Sequence, residues 1–166
     1  MTRRQWLGFL SSLGLASAAS RVAQAAPAAA GKPDLPRIEP LLLTDAQWRQ
    51  RLTPAQYNVL REEGTERAGT SPLNSEKRKG TFQCAGCELP LFASSTKYES
   101  GTGWPSFFTT IPGVFDTKKD YGLFLPRTEY HCKRCGGHHG HVFDDGPPPT
   151  GQRWCNNGVA LRFVPK

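Results

Sequence analysis

No stretch of this chain approaches the roughly 20 apolar residues that a mature membrane-spanning helix needs. Hydrophobic residues reach only 37%, against 17 glycines and 14 prolines. That balance argues against a helical bundle and for a turn-rich, mostly β domain. Cysteine is scarce as well. Five are too few for a disulfide scaffold, and the odd number leaves one unpaired. No repeat is visible beyond two cysteine pairs, and the first thirty residues contain no acid. With 166 residues the chain has room for one domain, a modest core and a tail.

What is there begins with an address. Arg3 and Arg4 precede an uncharged run from Gln5 to Ser20, Arg21 closes it, and Ala23-Gln24-Ala25 has the small-x-small form of a cleavage site. Residues 1–25 read as a signal peptide. Thr2-Arg3-Arg4-Gln5-Trp6-Leu7 resembles the twin-arginine motif, with Trp6 where Phe is usual. An ordinary secretory signal or an uncleaved anchor shares most of these features. The paired arginines, the weakly apolar centre and Arg21 favour the twin-arginine export machinery as partner and the bacterial periplasm as destination. Cleavage after Ala25 removes three arginines and no acid, so the net charge of +7 becomes +4. The pI near 9.4 is then largely the signal's, and no nucleic-acid partner is expected. The short cluster Lys77 to Lys79 reads as a solvated turn.

Residues 26–40, with Ala, Gly and four prolines, read as a flexible linker, and residues 41–166 as the domain. Thr44-Asp45-Ala46-Gln47 has the form of a capping box, predicting a short helix with Trp48 on its apolar side. Thr53-Pro54-Ala55-Gln56 repeats the signal with proline at the first helical position, and that helix should stop at Gly64. Thr65 to Gly80 reads as a polar loop. From Thr81 the pattern is β-like, with strands expected at Leu89–Phe92, Gly122–Leu125, Thr128–His131 and Val159–Val164.

Cys84-Ala85-Gly86-Cys87 and Cys132-Lys133-Arg134-Cys135 are two C-x-x-C turns 45 positions apart. A two-residue gap lets both thiolates of a turn face one cation, and two turns supply the four ligands of a closed tetrahedral zinc site. The glycines Gly86, Gly136 and Gly137 help the backbone turn its amides toward sulfur. The long separation requires a β subdomain between the knuckles. Disulfides, which an oxidising compartment permits, and a thioredoxin-like redox pair are the competing readings. A four-cysteine zinc would staple a small domain and leave no position open for water.

Cys155 is then left over, in Arg153-Trp154-Cys155-Asn156-Asn157-Gly158. A lone cysteine is commonly a small buried hydrophobe. Here Arg153 is placed to stabilise a thiolate. His138 and His141 lie three apart around Gly140, followed by Phe143, Asp144 and Asp145. Beside a free cysteine they read as proton donors. Gly101-Thr102-Gly103-Trp104-Pro105 fixes a tight loop that offers Trp104 as a wall for a small apolar group.

Arranged in order, C-x-x-C, then SGTGWPSF, then CxxCGGHxGHVFDDGPxPTGxRWCxN resembles the B-type methionine sulfoxide reductases, which act on the R epimer. The likeness runs from about Thr44 to Phe163 and takes in Gly64-Thr65-Glu66. The resemblance implies two small antiparallel sheets with short N-terminal helices. It makes Cys155 the nucleophile and Cys84, Cys87, Cys132 and Cys135 the ligands of one structural zinc. It makes Trp104 the cage for the substrate methyl, with Phe143 beside it, His138 and His141 the active-site histidines, and Asp145, Arg153 and Asn157 their polar surround. Implied partners are oxidised protein methionine as substrate and an external, thioredoxin-like thiol as reductant; a monomer is expected. Many members carry a resolving cysteine at the position of Thr102, and this chain does not. Asn156 stands where an aliphatic residue is common, His139 where leucine is common and Gly158 where serine is common. Different classes of function remain beside this one: a zinc-ribbon binding module using Lys77 to Lys79, Lys118, Lys119 and Arg134 on an acidic partner, a thiol-disulfide enzyme, and a hydrolytic zinc enzyme.

Overall fold

The computed structural model describes residues 37–122 and 125–166. The export signal, its cleavage point and most of the 26–40 linker lie outside them, as does the centre of the expected strand Gly122–Leu125. The two ends of that stretch, Gly122 and Leu125, lie in bends. No helix among the described residues is long and apolar enough to cross a membrane.

Helices α1 (Asp45–Arg51) and α2 (Pro54–Glu62) both start with full capping boxes, Thr44 with Gln47 and Thr53 with Gln56. Helix α2 ends two residues before Gly64, because Glu63 itself takes the left-handed turn at φ 56°. Gly64 follows for a different reason: the Asn58 side chain occupies the place of any Cβ. Trp48, Tyr57, Val59 and Leu60 are buried, so the apolar side of the helices faces the domain. The polar stretch after α2 is a loop apart from a short 3-10 turn at Pro72–Ser75, capped by Ser71.

The rest is β. Strands β1 (Gly80–Cys84), β2 (Pro90–Ala93) and β9 (Leu161–Pro165) form one antiparallel sheet in the order β2-β1-β9. Strands β3 (Lys97–Tyr98), β4 (Ser106–Phe107), β5 (Phe115–Asp120), β6 (Arg127–Cys132), β7 (His138–Phe143) and β8 (Arg153–Asn156) form a second, in the order β3-β4-β8-β7-β6-β5. The expected last strand starts later than Val159, because Gly158–Ala160 make a 3-10 turn first. Strands β1, β5, β7 and β8 carry cysteine, histidine, charge or asparagine where a half-buried strand usually alternates, so periodicity alone does not reveal them.

Aromatic rings join the two sheets. Phe92 stacks on Phe107 with centroids 4.0 Å apart, Phe82 meets Phe107 edge-on at 5.0 Å, and Phe115, Tyr130 and Trp154 continue the cluster.

Register places the chemistry. Ser106 pairs with Cys155, Cys155 with His141, His141 with Glu129, and Glu129 with Lys118, forming one row across the second sheet. Between β6 and β7 the register slips: Tyr130 faces Gly140, while His131 faces His138. Strand β7 thus holds one extra residue. On a regular strand residues three apart point to opposite faces. The bulge brings His138 and His141 together, ring centroids 5.6 Å apart, and turns His139 into the core.

Candidate active site

The cysteine knuckles are alike in backbone. Glu88 N–H donates to Cys84 C=O at 2.8 Å and Gly136 N–H to Cys132 C=O at 2.7 Å. Each turn closes on a left-handed residue, Glu88 at φ 65° and Gly136 at φ 68°. Helix arginines hold both turns: Arg51 donates to Gly86 C=O at 2.6 Å, and Arg61 to Cys135 C=O at 2.9 Å. At Gly137 a Cβ would crowd Leu60 Cδ2, whereas at Gly86 it would make only ordinary contact with Leu60.

All four knuckle sulfurs are buried and lie within 4.8 Å of one another. Cys84 and Cys135 are 3.6 Å apart, Cys87 and Cys132 3.5 Å. A tetrahedron with metal–sulfur bonds of about 2.3 Å spaces its sulfurs by about 3.8 Å. Four thiolates this close would repel one another without a cation among them. The set therefore fits a four-coordinate metal ion, and its burial suits neither thiol exchange nor hydrolysis.

Cys155 lies in a different cavity of about 120 Å3, whose lining includes Trp104, Arg127, His141, Phe143, Asn156 and Asn157. An apolar cavity of about 150 Å3 takes benzene, so this one suits a single small group. Cys155 and His141 face each other on adjacent strands, where Cβ atoms are about 5 Å apart. Gly140 permits that approach. Its φ is 155°, and a Cβ there would sit on the carbonyl oxygen of Cys155.

Burial pushes the Cys155 thiol above its ordinary value; the Arg153 charge and hydrogen bonds from Thr102 and Arg153 pull the other way and do not overcome it. Arg153 is shared with Asp145. It makes two 2.8 Å bonds to Asp145 and lies 4.3 Å over the Phe143 ring. Burial also lowers His141, partly offset by its bond to Asp120. Arg153 thus favours the thiolate, and burial outweighs it. At neutral pH the resting site carries a thiol and a neutral imidazole.

His141 Nε2 lies 2.8 Å from Asp120 Oδ2. Asp120 is held in turn by the Gly122 N–H at 2.8 Å and by Arg127 at 2.6 Å, which together with the His141 bond keep its carboxyl well below the usual range. An ionised carboxylate accepts the Nε2 proton, so Nδ1 of His141 carries the lone pair.

His138 is placed differently. It is buried, with Nδ1 2.9 Å from Glu129 Oε1, and it does not line the Cys155 cavity. Glu129 also meets Lys118 at 3.1 Å, and Lys118 meets Glu63 at 2.6 Å. Arg153 and Asp145 likewise do not line the cavity.

Trp104 is fastened by its indole N–H to Glu66 C=O at 3.1 Å. Glu66 is the hub of this side. Its carboxylate accepts the Gly158 and Val159 N–H groups, and its own N–H donates to Asn157 Oδ1 at 2.9 Å. Asn157 gives its amide hydrogens to His139 C=O at 3.0 Å, so its polar atoms hold backbone.

The two unusual residues His139 and Asn156 are one feature. His139 Nδ1 is 3.2 Å from Asn156 Oδ1 and its Nε2 is 3.4 Å from Cys84 Sγ. Burial drives His139 down to about 3, so it is neutral. The Tyr130 hydroxyl bridges Asn156 Oδ1 at 2.9 Å and Cys155 C=O at 3.0 Å. Asp120, Arg127 and Glu129 were not foreseen as site residues; no local motif marks them, and only strand register brings them to the cavity or its histidines. Glu66 stood in a noticed stretch without a role.

The SelR domain model matches residues 52–165. Similar proteins include the peptide methionine sulfoxide reductase MsrB of Agrobacterium fabrum, 51% identical over 123 residues, covering 74% of this chain and 91% of that one. That of Leptospira interrogans is 52% identical over 121 residues, covering 72% and 92%. The chloroplastic peptide methionine sulfoxide reductase B1 of Arabidopsis thaliana is 49% identical over 122 residues, covering 73% and 60%. A site that pairs one cysteine with a carboxylate-held histidine under an indole, in a domain stapled by four further cysteines, accords with these relatives: the chain belongs to the SelR-domain family of B-type methionine sulfoxide reductases.

Proposed function

We propose that this protein reduces the R epimer of methionine sulfoxide, in polypeptides, to methionine. The observation that carries the reading is the direct pairing of Cys155 with His141 in a small cavity walled by Trp104. A sulfoxide has positive sulfur and negative oxygen. His141 Nδ1 takes the Cys155 proton as substrate enters, and the thiolate attacks the substrate sulfur. The same proton returns to the sulfoxide oxygen. The hydroxyl so formed passes to the Cys155 sulfur as the substrate's sulfur–oxygen bond and the new sulfur–sulfur bond break, and methionine departs from a sulfenic acid. Asp120 steadies the imidazolium formed between these steps. Trp104 receives the methyl, so only one epimer presents its oxygen to His141.

Thr102 stands in the place of a resolving cysteine, and the other four cysteines are buried. An external dithiol of the thioredoxin type therefore reduces the sulfenic acid: one thiol displaces water to form a mixed disulfide, and the second releases Cys155. Zinc is the cation proposed for the knuckles, on their sulfur donor set and spacing. When bound it ties the chain before β2 to the end of β6 and takes no part in the reaction. Residues 1–25 act as a twin-arginine signal in this reading, and repair occurs in the periplasm.

The test is turnover of separate R and S epimers of a blocked methionine sulfoxide with dithiothreitol, for wild type and Cys155→Ser. R-only activity, lost in the variant, is expected. Activity on neither epimer by folded protein would refute the reading. A Cys155-containing intramolecular disulfide after one turnover would refute the external reductant.

A further inference from the structure

Two hollows of this domain share a wall. Arg127 and Phe143, which border the Cys155 cavity, also border a groove of about 690 Å3 that continues over Leu125, Pro126 and Val142. Lys119, Thr128 and Asp144 border the same groove, and among the described residues its Leu125 is 75% exposed. Exposed apolar surface rimmed by polar residues marks an interaction site.

The catalytic cavity holds little more than one small group. A methionine sulfoxide within a chain continues on both sides, and an extended chain advances about 3.3 Å per residue. Residues one and two places away must therefore lie on the rim. On one side the rim offers Thr65 and Asn157. On the other it passes over Arg127 and Phe143 into the apolar groove. Arg127 sits on the saddle between the two hollows. One terminal nitrogen is committed to Asp120 at 2.6 Å, and Nε is buried with no hydrogen-bond partner among the described residues.

We propose that this groove seats the polypeptide beside the oxidised methionine. It takes an apolar side chain one or two residues away, and Arg127 donates to a main-chain carbonyl of the same segment. The inference rests on the proposed reductase activity and names the part of the substrate that the cavity does not hold. It makes the enzyme selective for oxidised methionines with apolar neighbours, the kind exposed when a protein's core is damaged.

Five-residue peptides with a central methionine R-sulfoxide in a Gly/Ser background test it, with leucine placed in turn at each flanking position. Blocked methionine R-sulfoxide serves as reference. In wild type, leucine at one or two positions should raise kcat/KM about fivefold to tenfold, through KM, as partial burial of one aliphatic side chain would. Leu125→Asp should bring the ratio of leucine peptide to reference close to one, with a thermal midpoint near that of wild type. A ratio that does not depend on leucine position, or that Leu125→Asp leaves unchanged while the reference is turned over, overturns the groove alone. Failure to reduce any of these substrates overturns both the groove and the reductase reading.

Discussion

Asp120 holds His141 by one 2.8 Å contact, and that contact sets both the tautomer and the basicity of the imidazole. Asp120→Asn removes the influence that raises His141. The acidic limb of the kcat profile should then move to lower pH, and kcat should fall about tenfold to a hundredfold, a share of what positioned acid–base groups supply. An unchanged profile would mean that Asp120 only braces Arg127. The pH dependence of wild type follows from the same groups. Cys155 is raised and His141 lowered, so reaction with an alkylating agent should increase with pH beyond the ordinary thiol value of about 8.5. A plateau already reached at pH 7 would show a resting thiolate. Gly140→Ala puts a methyl on the Cys155 carbonyl at a backbone angle that favours glycine. It should cost about 3 kcal/mol or more, read as a lower denaturation midpoint.

At the scale of elements, the β7 bulge and the β7–β8 pairing make the site, and a buried polar link crosses beneath them. His139, Asn156 and Tyr130 join the backbone of the nucleophile to a knuckle sulfur. His139→Leu alone leaves the Asn156 carbonyl short of one partner and should cost about 1 to 3 kcal/mol. His139→Leu with Asn156→Ile removes both polar groups and should recover part of that loss. A double-mutant cycle in urea should show coupling of about 1 kcal/mol or more; strict additivity would mean that the two side chains do not interact. Helix α2 is more modular. Thr53→Ala removes its capping box and should cost about 1 kcal/mol with little change in kcat.

For the molecule as a whole, the four-cysteine centre joins the first sheet to the far end of the second, and α2 packs over both knuckles. Binding of a structural zinc is worth about 10 kcal/mol or more in small domains, and a domain of this size is stable by only about 5 to 15 kcal/mol. Stripping the metal with a strong chelator should therefore abolish cooperative thermal unfolding near the original midpoint, and readdition of zinc should restore it. A midpoint unmoved by complete metal removal would show that the aromatic core alone carries the fold.

Short-range chemistry was legible in the sequence. Thr44, Thr53 and Pro54 announced both helices, because a cap is satisfied within three residues. The C-x-x-C spacing announced a metal centre, because each pair lies on a single turn. Glycine and proline content announced β structure. The motif around Cys155 was distinctive enough to announce the family. Long-range placement was not legible. Nothing near Asp120 marks it as the partner of His141, and nothing near Glu129 marks it as the partner of His138; both depend on how β5, β6 and β7 register. Which of two histidines three apart meets the nucleophile depended on the β7–β8 register, and the extra residue in β7 decided that the other histidine lies beside it. Whether Arg153 or burial governs Cys155 depended on how deeply the paired strands enclose the sulfur. Local rules act through covalent spacing, and a cap or a knuckle needs nothing more. A charge balance or a shared cavity is set by segments far apart in the chain, and it exists only once the sheets have paired.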